Sequence, residues 1–339
     1  MKTNNLLLMG ITTVMLASCG STQNLFLEAY APEETALNLV KITDETNNSV
    51  CTARVLAYYG NYATSAIGNS GAERIAWTTP SLISVSPDGK KLAYLSTVNR
   101  QNNIMVRSTS AQGLATQRTF RNAGNFSWGR DGQLYFTDYS GNNSYICAVN
   151  AEQGSMMKQL TNGNVTDRDP VVSSDGKLLF FTRLDTGGPA IWSLDRTNGT
   201  LTSCARGYNP CLIPGNNEAF YCVRNNTNGR SEVWYVNFVK GEETLVASDQ
   251  YHSFTNPTLS PDGKWIAMVG NARSNISKTV NLDIFVIKTD GTNLTQLTYH
   301  PMNDCSPCWS ADGRSIYFIS DRANKMRYSN IWRMNFNIE

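Results

Sequence analysis

The sequence predicts an all-β fold: a six-bladed β-propeller of four-stranded antiparallel blades. Three observations carry that reading. The first is a repeated turn. Ser86-Pro87-Asp88-Gly89 recurs as Gly129-Arg130-Asp131-Gly132, Ser173-Ser174-Asp175-Gly176, Ser260-Pro261-Asp262-Gly263 and Ser310-Ala311-Asp312-Gly313. Each copy is followed by an apolar, β-branched run, so the unit reads as strand, tight turn, strand. The second is the spacing. The turn glycines follow one another at 43, 44, 87 and 50 residues. The long step holds one degenerate unit, whose turn is Pro214-Gly215-Asn216-Asn217 between Cys211-Leu212 and Ala219-Phe220-Tyr221-Cys222. Six units of about 44 residues have the period of propeller blades. The third is a further strand at a fixed place in every unit: Ile104–Val106, Ile146–Val149, Ile191–Leu194, Val233–Val236, Ile284–Ile287 and Ile331–Met334. A fourth strand opens each following unit, most plainly at Leu294-Thr295-Gln296-Leu297-Thr298. Radial repetition of such blades leaves only short sheet edges, and no segment shows the 3.6-residue period of a helical solenoid.

On these residues the chain resembles the TolB-type propeller repeat, also called the WD40-like or PD40 repeat. The similarity is strongest over Asn256-Pro257 to Val269, Asp283 to Gly291 and Leu297-Thr298 to Ser320, and extends over about Glu73 to Phe336. It implies a fold; a propeller scaffold hosts many unrelated functions.

In chain order, residues 1–18 read as a lipoprotein signal peptide. Lys2 is the positive n-region, and Leu6 to Leu16 is an apolar stretch shorter than a membrane-spanning helix. Leu16-Ala17-Ser18-Cys19 matches a bacterial lipobox, so Cys19 is expected to carry the lipid. Buried acyl chains contribute about 0.8 kcal/mol per CH₂, which holds a protein at a membrane surface. No Asp follows Cys19 and no acidic run is present, which implies an outer-membrane lipoprotein facing the periplasm. Residues 19–72 are expected to be a tether and extension, and residues 73–339 the propeller. Within the extension, Leu37 to Asp44 has the pattern of a fourth-type strand. TolB proteins carry an α/β domain ahead of the propeller, and about 50 residues are too few for it. Arg74-Ile75-Ala76-Trp77-Thr78 takes the fourth-strand slot ahead of unit one, while the last blade lacks its fourth strand. The expectation is a ring sealed by an N-terminal strand in the last blade, which removes an open edge. Asn337 to Glu339 follow the last blade, so no C-terminal catalytic domain is expected.

Trp192, Trp234 and Trp332 share the third-strand slot, and Trp128 and Trp309 share the slot before the turn, which points to packing between blades. The net charge of +2 lacks the basic footprint of a nucleic-acid-binding protein. Seven cysteines remain beyond Cys19, an odd number that leaves at least one unpaired within a monomer. Cys211 and Cys222 are equidistant from the Asn216-Asn217 turn centre and form a candidate disulfide. Cys305-Ser306-Pro307-Cys308 has C-x-x-C spacing, yet no second pair completes a zinc set, so an ordinary buried or disulfide role is expected.

No catalytic residue, metal site or cofactor emerges. There is no G-x-S-x-G elbow, and His252 and His300 are the only histidines. The loops entering first strands and those joining second to third strands share one face of a propeller. That face receives Asp167, Arg168, Asp169, His252, His300, Asp304 and Arg322. The residue before the strand proline recurs as Asp169, Asn209 and Asn256, with Ser306 and Asn125 in the same slot, and suggests a polar ring at the channel mouth. The expected function is a lipid-anchored envelope scaffold that binds another envelope protein or peptide through this face. The alternative is an envelope enzyme or carbohydrate-binding module acting on glycans there, which requires Asp167, His252 or His300 to converge with a metal or carboxylate partner.

Overall fold

The computed structural model describes residues 32–43, 82–98, 101–110, 114–139, 143–152, 156–273, 280–323 and 329–338. Among them are six antiparallel sheets of four strands. Blade one is Ile83–Val85, Lys91–Val98, Gln101–Ser108 and Thr116–Gln117. Blade two is Ala123–Trp128, Gln133–Asp138, Tyr145–Asn150 and Lys158–Gln159. Blade three is Thr166–Val172, Leu178–Asp185, Gly188–Asp195 and Leu201–Arg206. Blade four is Tyr208–Leu212, Ala219–Asn225, Ser231–Asn237 and Glu242–Ala247. Blade five is Phe254–Leu259, Trp265–Arg273, Val280–Lys288 and Thr295–Gln296. Blade six is Asp304–Trp309, Ser315–Ser320 and Asn330–Asn335, completed by Val40–Lys41. First strands touch first strands from blade to blade, and blade six touches blade one, so the sheets close into a ring. All six predicted third strands lie in third strands of the structure.

The turn chemistry is the local cause of this repetition. In four turns the serine hydroxyl donates to the aspartate Oδ1 at 2.6 Å (Ser86–Asp88, Ser173–Asp175, Ser260–Asp262, Ser310–Asp312). The serine Oγ also accepts the N–H five residues on, as from Trp265 at 2.9 Å. The aspartate accepts the N–H two residues on, as from Lys264 at 3.1 Å. These bonds hold Asp175 down to about 2, the Ser173 hydroxyl being the largest cause. Gly263 closes its turn at φ 73° and Gly215, in the degenerate unit, at φ 77°. Both lie in the left-handed region, where glycine is favoured. The blades then pack face to face: Phe180 of blade three meets Phe220 and Phe238 of blade four at 5.9 and 6.0 Å between ring centroids. Each such buried side chain contributes about 1.5–3 kcal/mol.

An N-terminal strand completes blade six, but it is not the segment assigned above. Val40 pairs with Arg333 and Lys41 with Trp332. Ile42 N–H donates to Ile331 O (2.8 Å), and Ile331 N–H donates to Thr43 Oγ1 (2.9 Å). In blade five Ile284 N–H uses Thr298 Oγ1 in the same way (2.9 Å). Lys41-Ile42-Thr43 is thus a copy of Gln296-Leu297-Thr298, and the ring draws on residues ahead of the expected boundary at 73. Arg74 to Thr78, Cys19 and the signal peptide lie outside the described residues. Both N-terminal segments end on an apolar residue followed by threonine, and the choice rests on a pairing nearly 290 residues away.

Candidate binding surface

Five of the first strands carry a bulge. Register shifts between Ala123 and Phe126, Arg168 and Val171, Tyr208 and Cys211, Thr255 and Thr258, and Cys305 and Cys308. Four of these bulges contain the pre-proline slot. There Asp169, Asn209, Asn256 and Ser306 all take left-handed φ, between 49° and 54°. A proline normally pushes its predecessor to extended backbone, and left-handed φ costs an ordinary residue roughly 1–2 kcal/mol. Asp and Asn tolerate it best, which explains three of the four choices. An extra residue in one strand re-aims its side chains. Here it turns Asp169, Asn209 and Asn256 into the channel.

These residues lie deeper than the expected channel mouth. Asn125, Asp169, Asn209 and Asn256 are each more than nine-tenths buried. Asn125 Nδ2 donates to Asp169 Oδ1, Thr182 Oγ1 donates to Asp169 Oδ2 (2.8 Å), and Asn209 N–H donates to Thr182 Oγ1 (3.2 Å). Burial raises the Asp169 carboxyl above its usual range, opposed by these donors. A cavity of about 290 Å³ begins at the ring and is lined by all six blades. Its wall continues to Arg130, Ser173, Ser174 and Pro214, in or beside the Asp-Gly turns. The ring is the floor of a funnel that opens on the turn face, not the rim of the loop face.

The remaining candidates fall into three separate places. Asp167, fully buried, is held by Arg183 through Nε (2.7 Å) and Nη2 (2.9 Å). Arg168 places its guanidinium over the Tyr139 ring at 5.2 Å. His252, half-buried, is oriented by Asp249 (Nδ1 to Oδ1, 2.8 Å) and packs on Phe254 and Phe285. His300, expected in a surface loop, is fully buried, and Met302 N–H donates to its Nδ1 (3.1 Å). Asp304 and Arg322 are also fully buried and bonded to each other. Burial lifts Asp304 to about 6, with Arg322 opposing.

Two members of this last cluster escaped the sequence reading. Glu34 of the one-turn helix Pro32–Thr35 accepts from Arg322 Nη2 at 3.2 Å and from Tyr299 N–H at 2.8 Å. Asp283 lies close by in blade five and is pushed up to about 9, by burial first and by the Asp304 charge second. The only signal for Asp283 was a charge opening the apolar strand Asp283-Ile284-Phe285-Val286; Glu34 gave none.

The candidate disulfide is absent. Cys211 and Cys222 are both buried free thiols. The bulge at Asn209-Pro210 slips the register by one, so Cys211 faces Tyr221. Cys211 packs with Phe254 and Ile266, while Cys222 packs with Phe180 and Phe220 on the other side of the blade. Cys305 and Cys308 are also free, and burial pushes the Cys308 thiol up to about 11.

Six four-stranded blades around a polar channel make this a six-bladed β-propeller. Residues 210–338 match the family described as PD40, TolB beta propeller domain. An uncharacterized protein of Agrobacterium fabrum is 26% identical over 161 residues, 46% of this chain and 52% of that protein. Dipeptidyl-peptidase 5 of Porphyromonas gingivalis is 31% identical over 69 residues, 20% of this chain and 10% of the enzyme. The chain thus spans about half of the first relative and a tenth of the second. Among solved structures it is similar to the putative TolB from Agrobacterium tumefaciens (TM-score 0.56, 18% identity, covering 76% of this chain and 90% of that one). It is also similar to TolB from Acinetobacter baumannii (0.58, 17%, 73% and 64%) and to oligogalacturonate lyase from Vibrio parahaemolyticus (0.55, 12%, 89% and 97%). At these identities the likeness is one of fold.

Proposed function

We propose that this chain is a lipid-anchored protein of the bacterial cell envelope that docks another envelope protein or peptide over the loop face of its propeller. The carrying observation is the character of that face. Phe120, Tyr251 and Tyr299 stand in loops entering blades two, five and six, and the first two are 73% and 70% exposed. Arg121 and Arg206 lie beside blade entries with half or more of their side chains exposed. Exposed aromatics and arginines on rigid loops are the residue types enriched at protein interfaces. The TolB-type fold supports the same reading. The glycan-acting alternative required Asp167, His252 or His300 to converge with a metal or carboxylate partner; His252 meets only Asp249 at a loop, away from Asp167, which Arg183 holds in blade three. Anchoring through Cys19 and an outer-membrane, periplasm-facing position rest on the Leu16–Cys19 motif.

The test is photo-crosslinking in intact envelopes, with the reactive group at Tyr251 or Phe120 and, as control, at Arg130 on the turn face. A discrete adduct from the loop positions alone is expected. Adducts only from Arg130 would move the partner to the funnel and overturn the loop-face reading. Turnover of glycans or peptides that disappears in His252→Ala would replace the scaffold with an enzyme. In the same envelopes Cys19→Ser is expected to shift the protein into the soluble fraction; retention in membranes would remove the anchor.

A further inference from the structure

Between blades five and six three carboxyl groups surround one guanidinium, all out of contact with water. Glu34, Asp304 and Arg322 are fully buried and Asp283 is 1% exposed. Arg322 donates from Nη2 to both Glu34 and Asp304, bonds Ser320 Oγ through its N–H (3.1 Å) and Nε (3.2 Å), and lies over Phe318. Asp283 receives neutral donors: Asn281 Nδ2 (3.2 Å), Gln296 Nε2 (3.2 Å) and Thr298 Oγ1 (3.3 Å). His300 borders the node through Asn281, whose Nδ2 also donates to His300 O (2.8 Å). One positive charge cannot balance three negative ones in a site shielded from bulk solvent, and an unpaired buried charge is costly.

The members differ in how firmly the chain holds them. Asp283 belongs to a nine-residue strand, and Asp304 to a six-residue strand, each inside a blade. Glu34 stands on a one-turn helix, followed by a two-residue strand and a few bonds at the edge of blade six. Excess negative charge is relieved most cheaply by moving Glu34.

We infer that residues 32–43 form a proton-linked latch, which seats Glu34 between blades five and six while Asp283 carries a proton and leaves when that proton is lost. With Asp283 neutral, Glu34 and Asp304 share Arg322. Once Asp283 ionises, a second uncompensated negative charge faces Glu34. The sign follows from the raised carboxyls: each favours the seated state at low pH and loses that contribution as pH rises, through about 6 for Asp304 and about 9 for Asp283. Opening that releases one proton increases up to about tenfold per pH unit.

Amide hydrogen exchange reads this directly, once corrected for the intrinsic rate. The probes are the latch bonds Ile42 N–H to Ile331 O, Asn335 N–H to Leu37 O and Tyr299 N–H to Glu34 Oε1. Their protection is expected to fall at least tenfold between pH 7 and pH 9, while Leu179 and Phe181 of blade three stay unchanged. In Asp283→Asn the profile is expected to be flat and protected. In Glu34→Gln, which keeps Asp283, protection is expected to be lower at pH 7 and to lose its slope. A flat wild-type profile, a wild-type slope retained in Asp283→Asn or Glu34→Gln, or a loss shared equally by blade three would each overturn the latch. The wild-type and Glu34→Gln measurements decide the matter even if Asp283→Asn does not fold.

Discussion

Arg322→Ala is expected to lower the unfolding free energy by about 3–5 kcal/mol, the cost of removing one partner from a buried ion pair. The guanidinium it deletes is the positive charge bonded to Glu34 and Asp304 in a site shielded from bulk solvent. Without it Asp304 can escape only by taking up a proton. With Arg322 present its carboxyl titrates near 6, and the lost attraction will raise it further. The penalty is therefore expected to be larger at pH 8 than at pH 5, where the carboxyl is already protonated. Urea unfolding followed by tryptophan fluorescence at the two pH values gives both numbers. A penalty below about 1 kcal/mol, or one that grows toward acid, would mean that the node is hydrated and that its charges are screened. Arg322→Met with Glu34→Gln and Asp304→Asn separates charge from packing. An apolar or neutral replacement of a whole buried ionic set is often nearly neutral in stability, whereas deleting one member is not.

What the sequence made legible was local. Turn chemistry repeats because each Ser-x-Asp-Gly unit satisfies its own backbone within five residues, so period, blade number and third strands could be read without any distant partner. The pre-proline slot was legible as a recurrence but not as a place. Its left-handed backbone and bulge decide whether Asp169, Asn209 and Asn256 face the loops or the channel, and φ is not written in residue type. The same bulge moved Cys211 off Cys222 by one register position, which in a strand exchanges faces. The Glu34 node was illegible for a different reason: Glu34 and Arg322 are 288 positions apart. Only ring closure brings them together, and ring closure itself was assigned to Arg74–Thr78. His300 and Asp304 are buried as well. Pattern alone left both on a polar loop.

One slot where the sequence reading was uniform yields the second large effect. Trp192, Trp234 and Trp332 recur at the same third-strand position, and equal roles were the natural expectation. Their surroundings differ. Trp192 and Trp234 are half-buried beneath Arg183 and Arg224, whose guanidinium carbons stand 5.1 and 5.2 Å from the rings. Trp332 is fully buried, paired with Phe318 on one side and with Lys41 of the closing strand on the other. Truncating it empties the joint where the chain's N-terminal strand seals the ring. Trp332→Ala is accordingly expected to cost about 3–5 kcal/mol, the range for large aromatic truncations in a core. Trp192→Ala and Trp234→Ala give up partial burial and a cation–π contact of about 0.5–1 kcal/mol. Each should fall at least about 2 kcal/mol short of the Trp332 value, given that wide core range. The Trp332 Nε1–H finds no acceptor among the described residues. Trp332→Phe removes that unpaired donor while keeping an aromatic ring, and its cost is expected to stay well below that of Trp332→Ala, because the cavity it opens is smaller. Chemical denaturation of the four variants ranks them. Equal losses at the three alanine sites would mean that the closing strand adds nothing to blade six beyond what its neighbours have, and a loss in Trp332→Phe as large as in Trp332→Ala would mean that the joint needs the whole indole and not merely an aromatic ring.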